Sequence, residues 1–246
     1  MTNNFGSNIL VTGTSRGIGL EFVRQLSKLN DVKHIFAGCR NPSDAKELLD
    51  LQKAHPNVIP IKLDVQDDQT IENAYDQVSK TLGNEGLNLL INNAGVFETE
   101  GSYDNPKREA FQKTFDINST GVAMVTAKFL PLVQKAAELK QRTIVANISS
   151  TGGSIGKVFK MTANNICYGM SKASLNYYTR LLSEYLKDSG IIFVALCPGW
   201  VRTDMGGQRA HLAPEDSISG LLRTISRLKI EDSGRYIDRN GDTIPF

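Results

Sequence analysis

Short apolar runs rich in Ile, Val and Leu alternate with longer stretches of helical periodicity along almost the whole chain. That alternation limits the fold more than any other feature. The runs are NILVT (8–12), HIFAGC (34–39), NVIPIKLDV (57–65), LNLLIN (87–92), RTIVANIS (142–149) and IIFVALC (191–197), with GRYID (234–238) as a short seventh. The first helical pattern puts Ile18, Phe22, Leu26 and Leu29 on one face. Others cover about 43–54, 68–81, 107–115, 119–139, 166–187 and 215–228. Near-continuous apolar strands are the mark of a parallel sheet buried on both faces. Strict β-α alternation then predicts an α/β, Rossmann-type doubly wound parallel sheet of about seven strands, with helices on both faces. Right-handed crossovers leave few other topologies. No linker, repeat or low-complexity tract interrupts the pattern, so one domain is expected over 1–246. In such folds ligands bind beyond the carboxyl ends of the strands.

Composition removes several function classes. Hydrophobic residues are 40% and charged residues 22%, enough apolar material for a real core. The net charge of +2, with Lys and Arg scattered, argues against nucleic acid. Cys39, Cys167 and Cys197 are odd in number and form no CxxC, which suits free thiols in a reducing compartment. The start MTNNFGSNILVTG has no secretory pattern, and no apolar run approaches the roughly 18 residues of a membrane span. His34, His55 and His211 lack metal-ligand spacing. A cytoplasmic protein without metal, membrane or nucleic-acid partner is expected.

The strand ends hold the chemistry. The first ends in TGTSRGIG (12–19), where Gly13, Gly17 and Gly19 form GxxxGxG. Glycines there give a tight turn and let backbone N–H groups reach a pyrophosphate; the plainer reading is a strand-to-helix turn. A Walker motif is absent. The second strand ends at Arg40, and the first acid beyond it is Asp44, past Pro42. Arg16 and Arg40 suit a 2′-phosphate, or else are solvated surface arginines. Asp64 in KLDV either accepts from an adenine amino group or caps a turn. The fourth strand ends in INNAG (91–95), the fifth in NISSTGG with Ser149 and Ser150, and the sixth in CPGWVRTDM (197–205) with Thr203 in an extended loop. Tyr168 and Lys172 are four apart in a helical pattern, so they share a face.

These motifs, together with Asn118 in FDINSTG and all in order, resemble the short-chain dehydrogenase/reductase family over essentially the whole chain. CRNPSDAKELLDL, LLINNAGV, PGWVRTDMGG and GRYIDRNGDTIPF bring the likeness closest to the Sniffer and C-factor group of carbonyl reductases. The resemblance implies reduction of a carbonyl in an aldehyde, ketone or quinone, with hydride from NADPH and a proton from Tyr168. Lys172 would lower the Tyr168 pKa and bind the nicotinamide ribose. Ser150, with Ser149 as the alternative, would polarise the substrate carbonyl. Asn118, in a kinked helix, would hold a water in a relay to Lys172. NADP(H) would lie along Gly13, Ser15, Arg16, Gly17, Ile18, Gly19, Arg40, Asp64, Val65, Asn93, Ala94, Gly95, Pro198, Gly199 and Val201, with Thr203 on the carboxamide and Tyr168 and Lys172 beyond.

Other readings are a non-catalytic dinucleotide-binding redox sensor and a family enzyme of another kind, an alcohol dehydrogenase or enoyl reductase. The intact Asn-Ser-Tyr-Lys set argues against the sensor. From Ser150 to Tyr168 the chain is longer than is usual in the family, so an insertion is expected to line the substrate entrance. The glycine-rich DMGGQRAHLAP after Thr203 has the composition of a lid. The family implies either a homodimer through the helices containing 119–139 and 166–187, or a monomer.

Overall fold

Seven strands lie side by side in the order β3-β2-β1-β4-β5-β6-β7, every neighbouring pair parallel. They are β1 (Asn8–Thr12), β2 (His34–Cys39), β3 (Val58–Lys62), β4 (Leu89–Asn92), β5 (Thr143–Ile148), β6 (Ile191–Cys197) and β7 (Tyr236–Asp238). The computed structural model describes residues 5–100, 102–158 and 166–246. The helices are α1 (Gly17–Leu26), α2 (Lys46–Ala54), α3 (Asp68–Leu82), α4 (Arg108–Phe115), α5 (Gly121–Glu138), α6 (Ile166–Tyr185) and α7 (Pro214–Arg227). The order turns back on itself between β1 and β4, which opens a crevice at the ends of those strands.

Side-chain alternation divides the core in two. Ile9 and Val11 of β1 join Phe22, Leu26, Ile218 and Leu221 on one face of the sheet. Leu10, between them, joins Phe36, Val78, Leu90, Phe129 and Phe193 on the other. Every residue of β1, β5 and β6 is buried, as a two-faced sheet requires. Pro60 sits in β3, an edge strand, where a missing N–H costs the ladder nothing on the open side. Asp67 caps α3 by accepting from Gln69 N and Thr70 N, which contributes about 1 kcal/mol.

The helical pattern expected from about 43 instead begins with a 3₁₀ turn, Pro42–Asp44, before α2 starts at Lys46. Leu29 packs on the core from beyond the end of α1. The two patterns 107–115 and 119–139 are one continuous helical run. A π-turn, Asp116–Thr120, joins α4 to α5. Among the described residues no helix is long and apolar enough to cross a membrane.

Candidate active site

A cleft of about 850 Å³ opens over the carboxyl ends of the strands. Its wall includes Gly13, Ser15, Arg16, Gly17, Ile18, Gly19, Arg40, Asp64, Val65, Asn93, Ala94, Gly95, Ser150, Tyr168, Lys172, Pro198, Gly199, Val201 and Thr203. Asn118 is fully buried behind it. The strand ends scattered along the sequence therefore face one space.

The glycine turn is packed so closely that side chains are excluded. Gly13 has φ +71°, and a Cβ there would lie 2.8 Å from Ala94 Cα. A Cβ on Gly19 would lie 2.1 Å from the Gly13 carbonyl oxygen. α1 starts at Gly17 without a side-chain cap and without an acid in its first turn, so its first N–H groups stay open to an anion. The amides of NNAG hold this turn to β4. Asn93 Nδ2 donates to the carbonyls of Thr12 and Gly13 at 2.9 and 3.1 Å, and Ala94 N donates to Thr12 Oγ1 at 3.0 Å.

Arg40 is exposed on the wall and has no hydrogen bond or ion pair among the described residues. Arg16 reaches across instead to Asp204, with Nη1 to Oδ2 at 2.9 Å, both side chains being largely solvent-exposed. Asp64 caps a turn, since its Oδ1 accepts from Gln66 N at 3.1 Å. Asp44, the first acid behind the second strand, is not on this wall, whereas Glu47 of α2 folds onto it. Its carboxylate is paired with Arg24 at 3.3 Å.

At the other end stand Ser150, Tyr168 and Lys172. The two serines have separate environments. Ser149 is buried and its Oγ donates to Asn176 Oδ1 at 2.6 Å. Ser150 is half-buried, its Oγ accepts from Gly152 N at 3.1 Å, and it neighbours the Tyr168 side chain. The Phe97 ring meets Tyr168 edge-on, with centroids 4.9 Å apart. Lys172, 5% exposed, donates from Nζ to the Ile148 carbonyl at 2.8 Å and lies 5.7 Å from the centre of the Tyr168 ring. Two further ammonium hydrogens remain for the cleft.

Burial sets the protonation of this pair. It pushes Tyr168 up to about 12, against the opposing pull of the Ser150 hydroxyl beside it. It pulls Lys172 down to about 8. Desolvation is the dominant cause of the Tyr168 shift, and Lys172 is not among its causes.

Asn118 sits in the π-turn, a widened turn of the kind found at functional sites. Its Nδ2 donates to the Val96 carbonyl at 2.9 Å and to Ser171 Oγ at 3.1 Å, and its Oδ1 accepts from Val96 N at 2.8 Å. The amide nitrogen has no hydrogen left for a relay water. The side chain fastens the loop after β4 to α6. Beyond β6, Thr203 Oγ1 accepts from Gly206 N at 3.2 Å, and Trp200 Nε1 donates to the Gly206 carbonyl at 2.8 Å. A bridge between Val201 and Leu212 closes that loop. Of the expected insertion, residues 159–165 lie outside the described residues.

The family model for short chain dehydrogenases matches residues 7–212. The chain belongs to that family. It is 32% identical to an uncharacterized oxidoreductase of Schizosaccharomyces pombe, over 96% of each chain. Among solved structures, the NADPH-bound carbonyl reductase from chicken fatty liver superimposes with a TM-score of 0.93 at 36% identity, covering 98% of this chain and 99% of that one. The carbonyl reductase Sniffer of D. melanogaster gives a TM-score of 0.93 at 33% identity, covering 98% and 100%. The protein is thus a short-chain dehydrogenase/reductase oxidoreductase, carbonyl-reductase-like in structure.

Several wall residues of this short-chain dehydrogenase were not legible from motif reading: Glu47, Val96, Phe97, Trp200 and Asp204. Val96, Trp200 and Asp204 stand inside the quoted motifs LLINNAGV and CPGWVRTDM and Phe97 follows the first, so their place beside the chosen residues was the available signal. Glu47 had none, because α2 brings it in from seven residues beyond Arg40.

Proposed function

We propose that this protein is an NADPH-dependent carbonyl reductase in which Ser150 and Tyr168 act on the substrate oxygen. The observation that supports the reading most is the convergence of Ser150, Tyr168 and Lys172 at one end of a cleft whose other end holds an uncapped helix start and Arg40. The cleft also fits a dinucleotide by its own chemistry. Lys172 is a buried ammonium with one protein partner, and the start of α1 is free of side chains that would block a phosphate.

When bound, the nicotinamide dinucleotide supplies the hydride. The chain's own groups orient the substrate and handle the proton. Ser150 Oγ donates to the substrate carbonyl oxygen as negative charge grows on it. Tyr168 Oη gives that oxygen its proton. An upward-shifted phenol stays loaded with its proton across ordinary pH, and an alkoxide is basic enough to take it. The Lys172 charge stabilises the phenolate left behind. Phe97 packs against the Tyr168 ring and keeps water from one edge. Asn118 acts by position, holding the loop of Val96 against α6.

At the adenosine end, Arg40 stands ready for a 2′-phosphate. Glu47 is the feature that would reward free ribose hydroxyls, but Arg24 already holds its carboxylate. The buried free thiols of Cys39, Cys167 and Cys197 suit a reducing compartment such as the cytoplasm. The test is NADPH oxidation over a panel of aldehydes, ketones and quinones. Turnover of none of them, with NADPH still bound, would favour the redox sensor instead.

A further inference from the structure

Ser150 stands just past the end of β5, in extended backbone at φ −158° and ψ 145°. The sheet no longer holds it there. Its main-chain carbonyl has two partners. Gly153 N donates to it at 2.8 Å, closing the 3₁₀ turn Thr151–Gly153. The other donor is the hydroxyl of Tyr236, which comes from β7.

β7 pairs with β6, not with β5, so the Tyr236 side chain reaches past β6 to make this bond. Its ring is fully buried among Ala195, Cys197 and Ile244. Burial first, then the neighbouring Cys197 thiol, push this phenol above the ordinary tyrosine range, so it remains a donor.

The segment after β7 holds Tyr236 in place. Ile244 N donates to the Tyr236 carbonyl at 2.8 Å, and the Phe246 ring packs 5.7 Å from the Tyr236 ring. The same segment grips the loop that follows Ser150. Ser154 Oγ donates to the Pro245 carbonyl at 2.5 Å, and Gly156 N donates to the Phe246 carbonyl at 2.8 Å. The approach is close: a Cβ on Gly156 would lie 3.0 Å from Pro245 Cβ. The loop that starts at Ser150 is thus tied to residues 236–246 at Ser150, Ser154 and Gly156.

We propose that Tyr236 is a positioning residue for Ser150: its hydroxyl, held by the folded-back segment 243–246, fixes the Ser150 carbonyl and so aims the Ser150 side chain at the substrate oxygen. This rests on the reading that Ser150 polarises the substrate. A buried phenol that merely needs an acceptor is the alternative. The two differ in whether the effect runs through Ser150 Oγ.

The experiment compares Tyr236→Phe, Ser150→Ala and the double variant in the full chain. It measures kcat and KM for carbonyl reduction, NADPH affinity by fluorescence titration, and thermal unfolding. Tyr236→Phe is expected to lower kcat roughly 10- to 100-fold, the scale of a small misplacement of a catalytic group. NADPH affinity should stay within about twofold, and the loss should shrink below about threefold in the Ser150→Ala background, where no hydroxyl remains to be aimed. An equal loss in both backgrounds, or wild-type kcat in Tyr236→Phe, overturns the proposal and leaves the functional reading standing. A silent Ser150→Ala overturns both. If Tyr236→Phe does not fold, Ser154→Ala asks the same question by loosening segment 243–246. A fall in kcat that vanishes in Ser150→Ala then supports the proposal, and unchanged kcat overturns it.

Discussion

Lys172 is expected to set a pH limit on the proposed reduction. Its ammonium is almost wholly buried and has one hydrogen bond to protein, and burial pulls its pKa down to about 8. Its proposed role needs the charged form. The group is depressed below the ordinary lysine range, so the charge is present at neutral pH and lost as pH rises through about 8. Tyr168, pushed up to about 12, stays protonated over the same range and adds no inflection. The kcat/KM for NADPH reports groups of the free enzyme. It should be level near neutrality and fall about tenfold per pH unit above the inflection, since one proton is lost. The assay is initial-rate NADPH consumption with saturating carbonyl substrate, from about pH 7 upward, clear of the 2′-phosphate titration near pH 6. Lys172→Arg keeps a charge that does not titrate, so the fall should disappear even if the plateau is lower. A level wild-type profile to about pH 9.5, or an inflection unmoved in Lys172→Arg, would refute the reasoning.

Tyr168→Phe keeps the ring and its packing on Phe97 but removes the proton donor, so kcat should fall roughly 10²–10⁴-fold with NADPH affinity nearly unchanged. Ser150→Ala should lower kcat more than it raises KM, whereas Ser149→Ala, which strands Asn176 Oδ1, should cost about 1–3 kcal/mol in urea denaturation and spare kcat. Arg40→Asp should weaken NADPH binding and narrow the preference over NADH, measured by titration of both; an unchanged ratio would make Arg40 a surface charge. Lys172→Met should abolish most activity yet stabilise the fold at neutral pH by on the order of 1–2 kcal/mol, because the native state no longer holds a desolvated ammonium. That gain should shrink as pH rises from about 8 toward the unfolded lysine value, where the wild type sheds the same proton.

The fold was legible because a parallel sheet buried on both faces leaves a plain record: β1, β5 and β6 are apolar at nearly every position. Motif order also reached most of the cleft wall, since each strand delivers its last residues to the same edge. What stayed hidden was set by other elements. Glu47 enters with the angle of α2, and Asp204 meets Arg16 only because the loop after β6 crosses the cleft mouth. The upward shift of Tyr168 was missed because sequence spacing tells of its neighbour Lys172, not of how much water the fold removes. The choice of Ser150 over Ser149 came from family alignment, and the structure adds a physical difference: both line the cleft, but Ser149 is buried with its hydroxyl tied to Asn176, whereas Ser150 is half-buried.

The π-turn at Asp116–Thr120 also fixes the phase of a long rod. From Arg108 to Glu138 the helix runs on through that widened turn, with Pro131 the other interruption of its hydrogen-bond ladder. The widened turn is the mark of one residue more than a regular spiral would hold. Removing a residue there would heal the backbone ladder and make a more regular helix. It would also turn one half against the other by about 100°, the rotation of a single residue. Asn118 would then leave Val96 and Ser171, and Gly121, whose absent Cβ would sit 2.6 Å from the Val65 carbonyl, would give way to a bulkier neighbour. Single-residue deletions in this run should therefore be tolerated far worse than substitutions at exposed positions. The irregularity acts as a timing mark that keeps the two ends of the helix addressed to different partners.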